Sequence, residues 1–208
     1  MNTLELASHG PVIPVIVINR LDDAVPMAQA LVEGGVKVLE VTLRTPVALR
    51  AMEAIAKAVP DAIVGAGTVR NVADAQAAKD VGCRFAVSPG YLSEVGVACR
   101  SIGLPLLPGV ATGSEVMQAN LDGYHFLKFF PATAAGGIPM LKALAGPFPD
   151  VVFCPTGGIT AQTAGQFLAL PNVRVCGGSW LTPHDAVEAK DWARITRLAR
   201  ETAQLRSA

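Results

Sequence analysis

Val12-Ile13-Pro14-Val15-Ile16-Val17-Ile18 is a run of β-branched residues interrupted only by a proline near its start. A strand covered on one face alternates apolar and polar residues. A strand with no polar position is covered on both, as in a parallel sheet flanked by helices. Pro14 falls early, where a missing ladder N–H costs least. A helical pattern follows. Asp22 and Asp23 offer an N-cap, Val25, Ala28 and Leu31 recur at helical spacing, and Gly34-Gly35 is a stop.

The same strand–helix unit then repeats. The second strand is Val36 to Leu43, and Thr45-Pro46 reads as an N-cap with proline at the first helical position, before Leu49, Met52, Ile55 and Val59. The third is Ala62 to Thr68, with Asn71 and Asp74 capping a helix to about Asp80. Arg84 to Val87 is the fourth, closed by Ser88-Pro89-Gly90, with a helix to Ile102. Leu104 to Leu107 is the fifth, before Pro108-Gly109 and a helix from near Gly113-Ser114. The sixth runs from Tyr124 into Lys128, and Gly136-Gly137 opens a helix to about Ala145. Val151 to Cys154 is the seventh, ending in Pro155-Thr156-Gly157-Gly158, with Thr160 capping the next helix. Val173 to Cys176 is the eighth, ending in Gly177-Gly178-Ser179, and Thr182-Pro183 starts a terminal helical region with Trp192, Ile195, Leu198 and Leu205 on one face. Residues 1–10 read as a short helix or arm. Eight alternating units predict an α/β fold, a single (β/α)8 TIM barrel, as one domain over residues 1–208. An open doubly wound sheet is the structural alternative.

Composition narrows the class. Of 208 residues 51% are apolar and 16% charged, which suits a large buried core and argues against disorder. Seventeen basic residues balance seventeen acidic ones, so nothing points to nucleic acid or an anionic membrane. Cys83, Cys99, Cys154 and Cys176 show neither CxxC spacing nor a metal-ligand pattern with the three histidines, and read as small buried hydrophobes in a reducing compartment. Pro11 to Ile18 is too short to span a bilayer and follows no basic region, so the expectation is a cytoplasmic protein with no signal peptide.

In such a barrel the chemistry gathers at the carboxyl ends of the strands. The sixth strand, His125-Phe126-Leu127-Lys128-Phe129-Phe130-Pro131-Ala132, puts Phe126, Lys128 and Phe130 on one face. Covered on both sides, Lys128 sits among aromatic rings; desolvation disfavours a charged amine, and a neutral amine forms Schiff bases with carbonyl substrates. The plainer alternative is a strand-end lysine that snorkels to solvent. Glu40, Thr42 and Arg44 share a face by their spacing of two, so Glu40 could shuttle protons and Arg44 could hold a carboxylate; a Glu–Arg ion pair with no further role is the alternative. The Gly-rich ends after strands seven and eight fall where phosphate sits in phosphate-binding barrels, although a lone Gly-Gly pair is commonly just a turn. His125 faces away from Lys128 and reads as a packed or capping residue, and Trp180 and Trp192 as helix-packing residues.

Six motifs stand together in register: Leu39-Glu40-Val41-Thr42-Leu43-Arg44-Thr45, Gly65-Ala66-Gly67-Thr68, Ser88-Pro89-Gly90, Lys128-Phe129-Phe130-Pro131-Ala132, Cys154-Pro155-Thr156-Gly157-Gly158-Ile159 and Gly177-Gly178-Ser179-Trp180. Together they resemble the class I 2-keto-3-deoxy-6-phosphogluconate aldolases, which also act on 4-hydroxy-2-oxoglutarate. The resemblance covers nearly the whole chain. It implies a lyase of the Entner-Doudoroff pathway, a homotrimer that needs neither metal nor cofactor. It implies Lys128 as the Schiff-base lysine and Glu40 as the general acid/base. It places Arg44, Thr68, Pro89, Phe130 and Thr156 around the pyruvate-derived portion, with Gly157, Gly158, Gly178 and Ser179 on the phosphate. Thr156 favours the gluco over the galacto substrate, since relatives preferring the galactonate epimer carry an apolar residue there. Thr133 departs from the Glu or Ser more usual at its position. The competing readings are a 2-keto-3-deoxy-6-phosphogalactonate aldolase and a sugar-phosphate isomerase or binding barrel that forms no imine.

Overall fold

The structure is a computed structural model and describes residues 3–205. Nine parallel strands are present among them: β1 (Val12–Ile16), β2 (Val38–Thr42), β3 (Ile63–Gly67), β4 (Phe85–Val87), β5 (Leu106–Leu107), β6 (Gly109–Val110), β7 (Phe126–Phe129), β8 (Val152–Pro155) and β9 (Cys176–Gly178). Ten α-helices accompany them: α1 (Thr3–Leu6), α2 (Ala24–Glu33), α3 (Ala48–Ala58), α4 (Val72–Asp80), α5 (Ser93–Ser101), α6 (Gly113–Leu121), α7 (Gly137–Ala145), α8 (Ala161–Leu168), α9 (His184–Glu188) and α10 (Trp192–Ala203). The strands form a six-stranded sheet in the order β5-β4-β3-β2-β1-β9 and a three-stranded sheet in the order β6-β7-β8. Isolated bridges join Phe153 to Val173 and Thr156 to Gly177, between the β8 and β9 segments.

Period-two alternation sorts each strand's side chains. Leu39 and Val41 of β2 pack outward on Met27, Leu31, Met52 and Ile55 of α2 and α3. Leu127 and Phe129 of β7 and Phe153 of β8 face a second helical layer with Leu141 and Phe167. The other faces, carrying Ile13, Val38, Ile63, Phe85, Val87, Leu107, Phe126, Cys154 and Val175, meet in an inner cluster closed by Leu6 and Ala7 from the N-terminal arm. Each large side chain so buried contributes roughly 1.5–3 kcal/mol. Helix α3 shows why the covering helices form where they do: Ala48, Ala51, Met52 and Ile55, its buried residues, follow the i, i+3, i+4, i+7 pattern.

The sequence reading needs correction at four places. The expected fifth strand, Leu104 to Leu107, is instead two short pieces either side of Pro108. Proline offers no ladder N–H, yet its carbonyl accepts from Lys128 N at 2.8 Å, so β5 pairs with β4 and β6 with β7. The eighth strand lies at Cys176–Gly178, later than Val173 to Cys176, and its glycines pair with Ile13 and Pro14. Those glycines are strand residues chosen for close packing: a Cβ at Gly177 would collide with the Thr156 side chain and one at Gly178 with the Trp180 ring. Thr45 does not cap α3; its hydroxyl donates to Ile18 O at 2.6 Å, tying the turn after β2 to the segment after β1. Asp23 precedes α2 without a capping bond: it ends a 3-10 turn over Leu21–Asp23 with helical φ −81° and ψ −17°, where a capping residue is extended, and its Oδ2 accepts from Arg20 Nε at 2.8 Å. The caps read at Asn71 and Thr160 form as expected, each side chain accepting a backbone N–H three residues on.

Candidate active site

Glu40 stands in the middle of β2, with Val15 and Gly65 as its strand neighbours. Lys128 stands on β7, between Gly109 and Cys154. Both point to the inner face, above the apolar cluster, because the residues two before them, Val38 and Phe126, belong to that cluster. Lys128 Nζ donates to Glu40 Oε1 at 3.1 Å, and the two residues are only 4% and 3% exposed. Removing one member of such a buried pair costs about 3–5 kcal/mol, since the other is left uncompensated. The Nζ also lies 5.2 Å from the centroid of the Phe130 ring. Beside the pair, burial pushes the Cys154 thiol up to about 12.

Beside the pair the strand ends open into a cavity of about 400 Å³. Arg44, Thr68, Pro89, Phe130 and Thr156 line it, and so do Gly157, Gly158, Gly178 and Ser179. These nine residues, all expected to bind substrate, therefore face one space supplied by six separate strand ends, while Lys128 and Glu40 are not in its lining and lie buried beside it, with Lys128 Nζ 5.2 Å from the centroid of the Phe130 ring that lines it. Arg44 is exposed, and its Nε donates to Thr68 Oγ1 at 3.3 Å. Thr68 has φ +63°, a left-handed conformation that costs a β-branched residue about 1–3 kcal/mol and is held here by its surroundings. The hydroxyl of buried Thr156 lies 3.4 Å from Cys154 O. The N–H groups of Gly158 and Ser179 have no partner among the described residues. Converging free backbone donors of this kind suit an anion.

Several contributors escaped the sequence reading. Val15 and Val17 form an apolar wall of the cavity with Ile159. Their alternation with Ile13 on β1 was the available signal. Gly67 leaves room for Glu40, because a Cβ there would stand 2.7 Å from Glu40 Cγ. Ser88 is buried, and its Oγ accepts from Gly109 N at 3.4 Å. Nothing in the local sequence announces these long-range contacts. His125, expected to be packed or capping, is exposed, with Nδ1 3.0 Å from Asp150 Oδ2. Trp180 packs as expected and donates to Thr202 Oγ1 at 3.2 Å. A larger cleft of about 510 Å³ between α2 and α10 contains none of the expected site residues. Among the described residues no group of three His, Cys, Asp or Glu could hold a metal ion, and no helix is long and apolar enough to cross a membrane.

Comparison with known proteins adds three kinds of likeness. Residues 4–198 match the sequence model of a family described as KDPG and KHG aldolase. The KHG/KDPG aldolase of Escherichia coli is 53% identical over 199 residues, which is 96% of this chain and 93% of that protein. The crystal structure of KDPG aldolase from Legionella pneumophila, with pyruvate captured at low pH as a covalent carbinolamine intermediate, superposes with a TM-score of 0.95 at 48% identity, covering 98% of both chains. The 2-keto-3-deoxy-6-phosphogluconate aldolase of Zymomonas mobilis with 3-phosphoglycerate gives 0.93 at 46% identity, over 98% of this chain and 96% of that one.

Proposed function

This chain belongs to the KDPG and KHG aldolase family, and we propose that it cleaves 2-keto-3-deoxy-6-phosphogluconate to pyruvate and D-glyceraldehyde 3-phosphate through an imine on Lys128, and 4-hydroxy-2-oxoglutarate to pyruvate and glyoxylate at the same site. The observation that carries this reading is the buried Lys128–Glu40 contact of 3.1 Å, with Lys128 Nζ 5.2 Å from the centroid of the ring of Phe130, which lines the cavity. Moving the shared proton from Nζ to Oε1 leaves no charge buried and a nucleophilic amine. The amine attacks the C2 ketone, and Glu40 returns the proton to the departing hydroxyl, which leaves as water. The protonated imine is the sink for the electrons of the C3–C4 bond as it breaks. Glu40, directly or through water, takes the C4 hydroxyl proton and then supplies C3 of the enamine with one. Hydrolysis of the pyruvate imine frees Lys128.

Arg44 and Thr68 take the substrate carboxylate, with Pro89, Phe130 and Thr156 around the pyruvate-derived carbons. Gly157, Gly158, Gly178 and Ser179 take the phosphoryl group through backbone N–H and hydroxyl donors. No metal or cofactor enters these steps. The two sheets are read as one closed (β/α)8 barrel and residues 1–208 as one catalytic domain. Support for closure comes from the Phe153–Val173 and Thr156–Gly177 bridges on one side and from Pro108 alone separating β5 and β6 on the other. The protein is read as a cytoplasmic homotrimer. Leu92, Val97, Met117 and Leu121, all more than half exposed around α5 and α6, are apolar surface that a subunit contact would cover.

Incubation with pyruvate and borohydride, followed by intact mass and peptide mapping, tests the reading. One reduced pyruvate adduct on Lys128 is expected. A folded protein with no adduct, or with an adduct on another lysine, overturns it.

A further inference from the structure

We infer that Thr133 is a positioning residue for the phosphoryl end of the cavity, because it sets the peptide plane between Gly157 and Gly158 and so aims the Gly158 N–H. The assignment rests on the aldolase reading above. Both polar groups of Thr133 engage one atom: its backbone N–H and its hydroxyl each donate to Gly157 O at 3.1 Å. A trans peptide unit holds its carbonyl and the following N–H antiparallel. With the Gly157 carbonyl turned toward Thr133, the Gly158 N–H points the opposite way, away from Thr133. It has no partner among the described residues, and Gly158 lines the cavity.

The turn itself supplies little resistance to reorientation. Gly157 and Gly158 have φ of +103° and +76°, and glycine moves among such conformations without the Cβ clash that restrains other residues. The peptide turned over would present a carbonyl oxygen where a donor is needed, and a carbonyl repels a phosphoryl oxygen. What decides between the two orientations lies on the neighbouring segment. That segment is a fixed platform, since Ala132 N donates to Thr156 O at 2.8 Å and Gly137 N to Ala132 O at 2.8 Å. The packing is close as well: a Cβ on Gly158 would stand 2.5 Å from Thr133 Oγ1 and 2.7 Å from Thr133 Cβ. Any residue at 133 keeps a backbone N–H, so the side chain supplies the second of two bonds, and its loss weakens the orientation without abolishing it.

The test compares the full-length wild type, Thr133→Val and Thr133→Ser on two substrates that differ only in the phosphoryl group, 2-keto-3-deoxy-6-phosphogluconate and 2-keto-3-deoxygluconate. Thr133→Val keeps the β-branched shape and loses the hydroxyl. It should lower kcat/KM for the phosphorylated substrate about two- to tenfold, the scale of one hydrogen bond, through KM. Turnover of the unphosphorylated substrate and the rate of pyruvate–borohydride adduct formation should stay at the wild-type values, and Thr133→Ser should restore the phosphorylated substrate. An equal loss on both substrates, or no loss on either, overturns the assignment and leaves the aldolase reading standing. A wild type that traps no pyruvate overturns the aldolase reading and this assignment with it.

Discussion

Gly67→Ala separates the stability of the fold from the geometry of its active pair. Gly67 pairs with Thr42 in the β2–β3 ladder, and its φ is not left-handed, so alanine fits the backbone there. The obstacle is Glu40, whose Cγ would stand 2.7 Å from the new Cβ. Restoring an ordinary carbon–carbon contact of about 3.7 Å moves the carboxyl by about 1 Å. Oε1 then leaves hydrogen-bond range of Lys128 Nζ, from which it now lies 3.1 Å. Overpacking of this kind costs about 1–3 kcal/mol of stability, a fall in Tm of about 2–12 °C at this chain length. A displacement of about 1 Å at a reacting group costs about a hundredfold in rate. Aldol cleavage followed by coupled reduction of the aldehyde product gives kcat/KM, the pyruvate–borohydride adduct gives the imine step, and a thermal melt gives the fold. The expected result is a modest fall in Tm with a large loss in both activities. A variant that melts lower yet traps pyruvate and turns over at the wild-type rate would refute the view that the Lys128–Glu40 contact drives imine formation.

Two further outcomes follow from burial and backbone conformation. Burial pushes the thiols of Cys83, Cys99 and Cys154 up to about 12, about 11 and about 12, and Cys176 is also buried. Because thiolate is the reactive form, the native protein should give no fast colour with Ellman's reagent at pH 8, and all four thiols should react in guanidinium chloride; a native thiol that reacts within seconds would contradict this. Gly165 lies inside α8, and a Cβ there meets nothing within 4 Å, so Gly165→Ala should stabilise by about 0.5–1 kcal/mol, a rise in Tm of about 1–4 °C with activity unchanged. An unchanged or lower melting temperature would count against this assignment of the helix interior.

The parts of this protein legible in the sequence are those whose physics is local. Strand and helix alternation, the α/β class, the Asn71 and Thr160 caps and the inward face of Glu40 follow from periods of 2 and 3.6 and from capping chemistry. Lys128 could be singled out because a charged residue in an apolar strand is conspicuous within a few residues. Local reading failed where a group had two partners to choose from. Thr45 had its own helix to cap and the Ile18 carbonyl to reach, and the longer-range bond won. Gly177 and Gly178 read as a phosphate-binding end past the eighth strand, yet they are strand residues packed against Thr156 and Trp180. That Glu40 meets Lys128 across 88 positions of chain, that Gly67 makes way for it and that Thr133 turns the Gly157 carbonyl are decided by the tertiary structure alone. Each depends on how far strands distant in sequence are staggered. A stagger is set by the packing of all the side chains together, and no short stretch of sequence contains it.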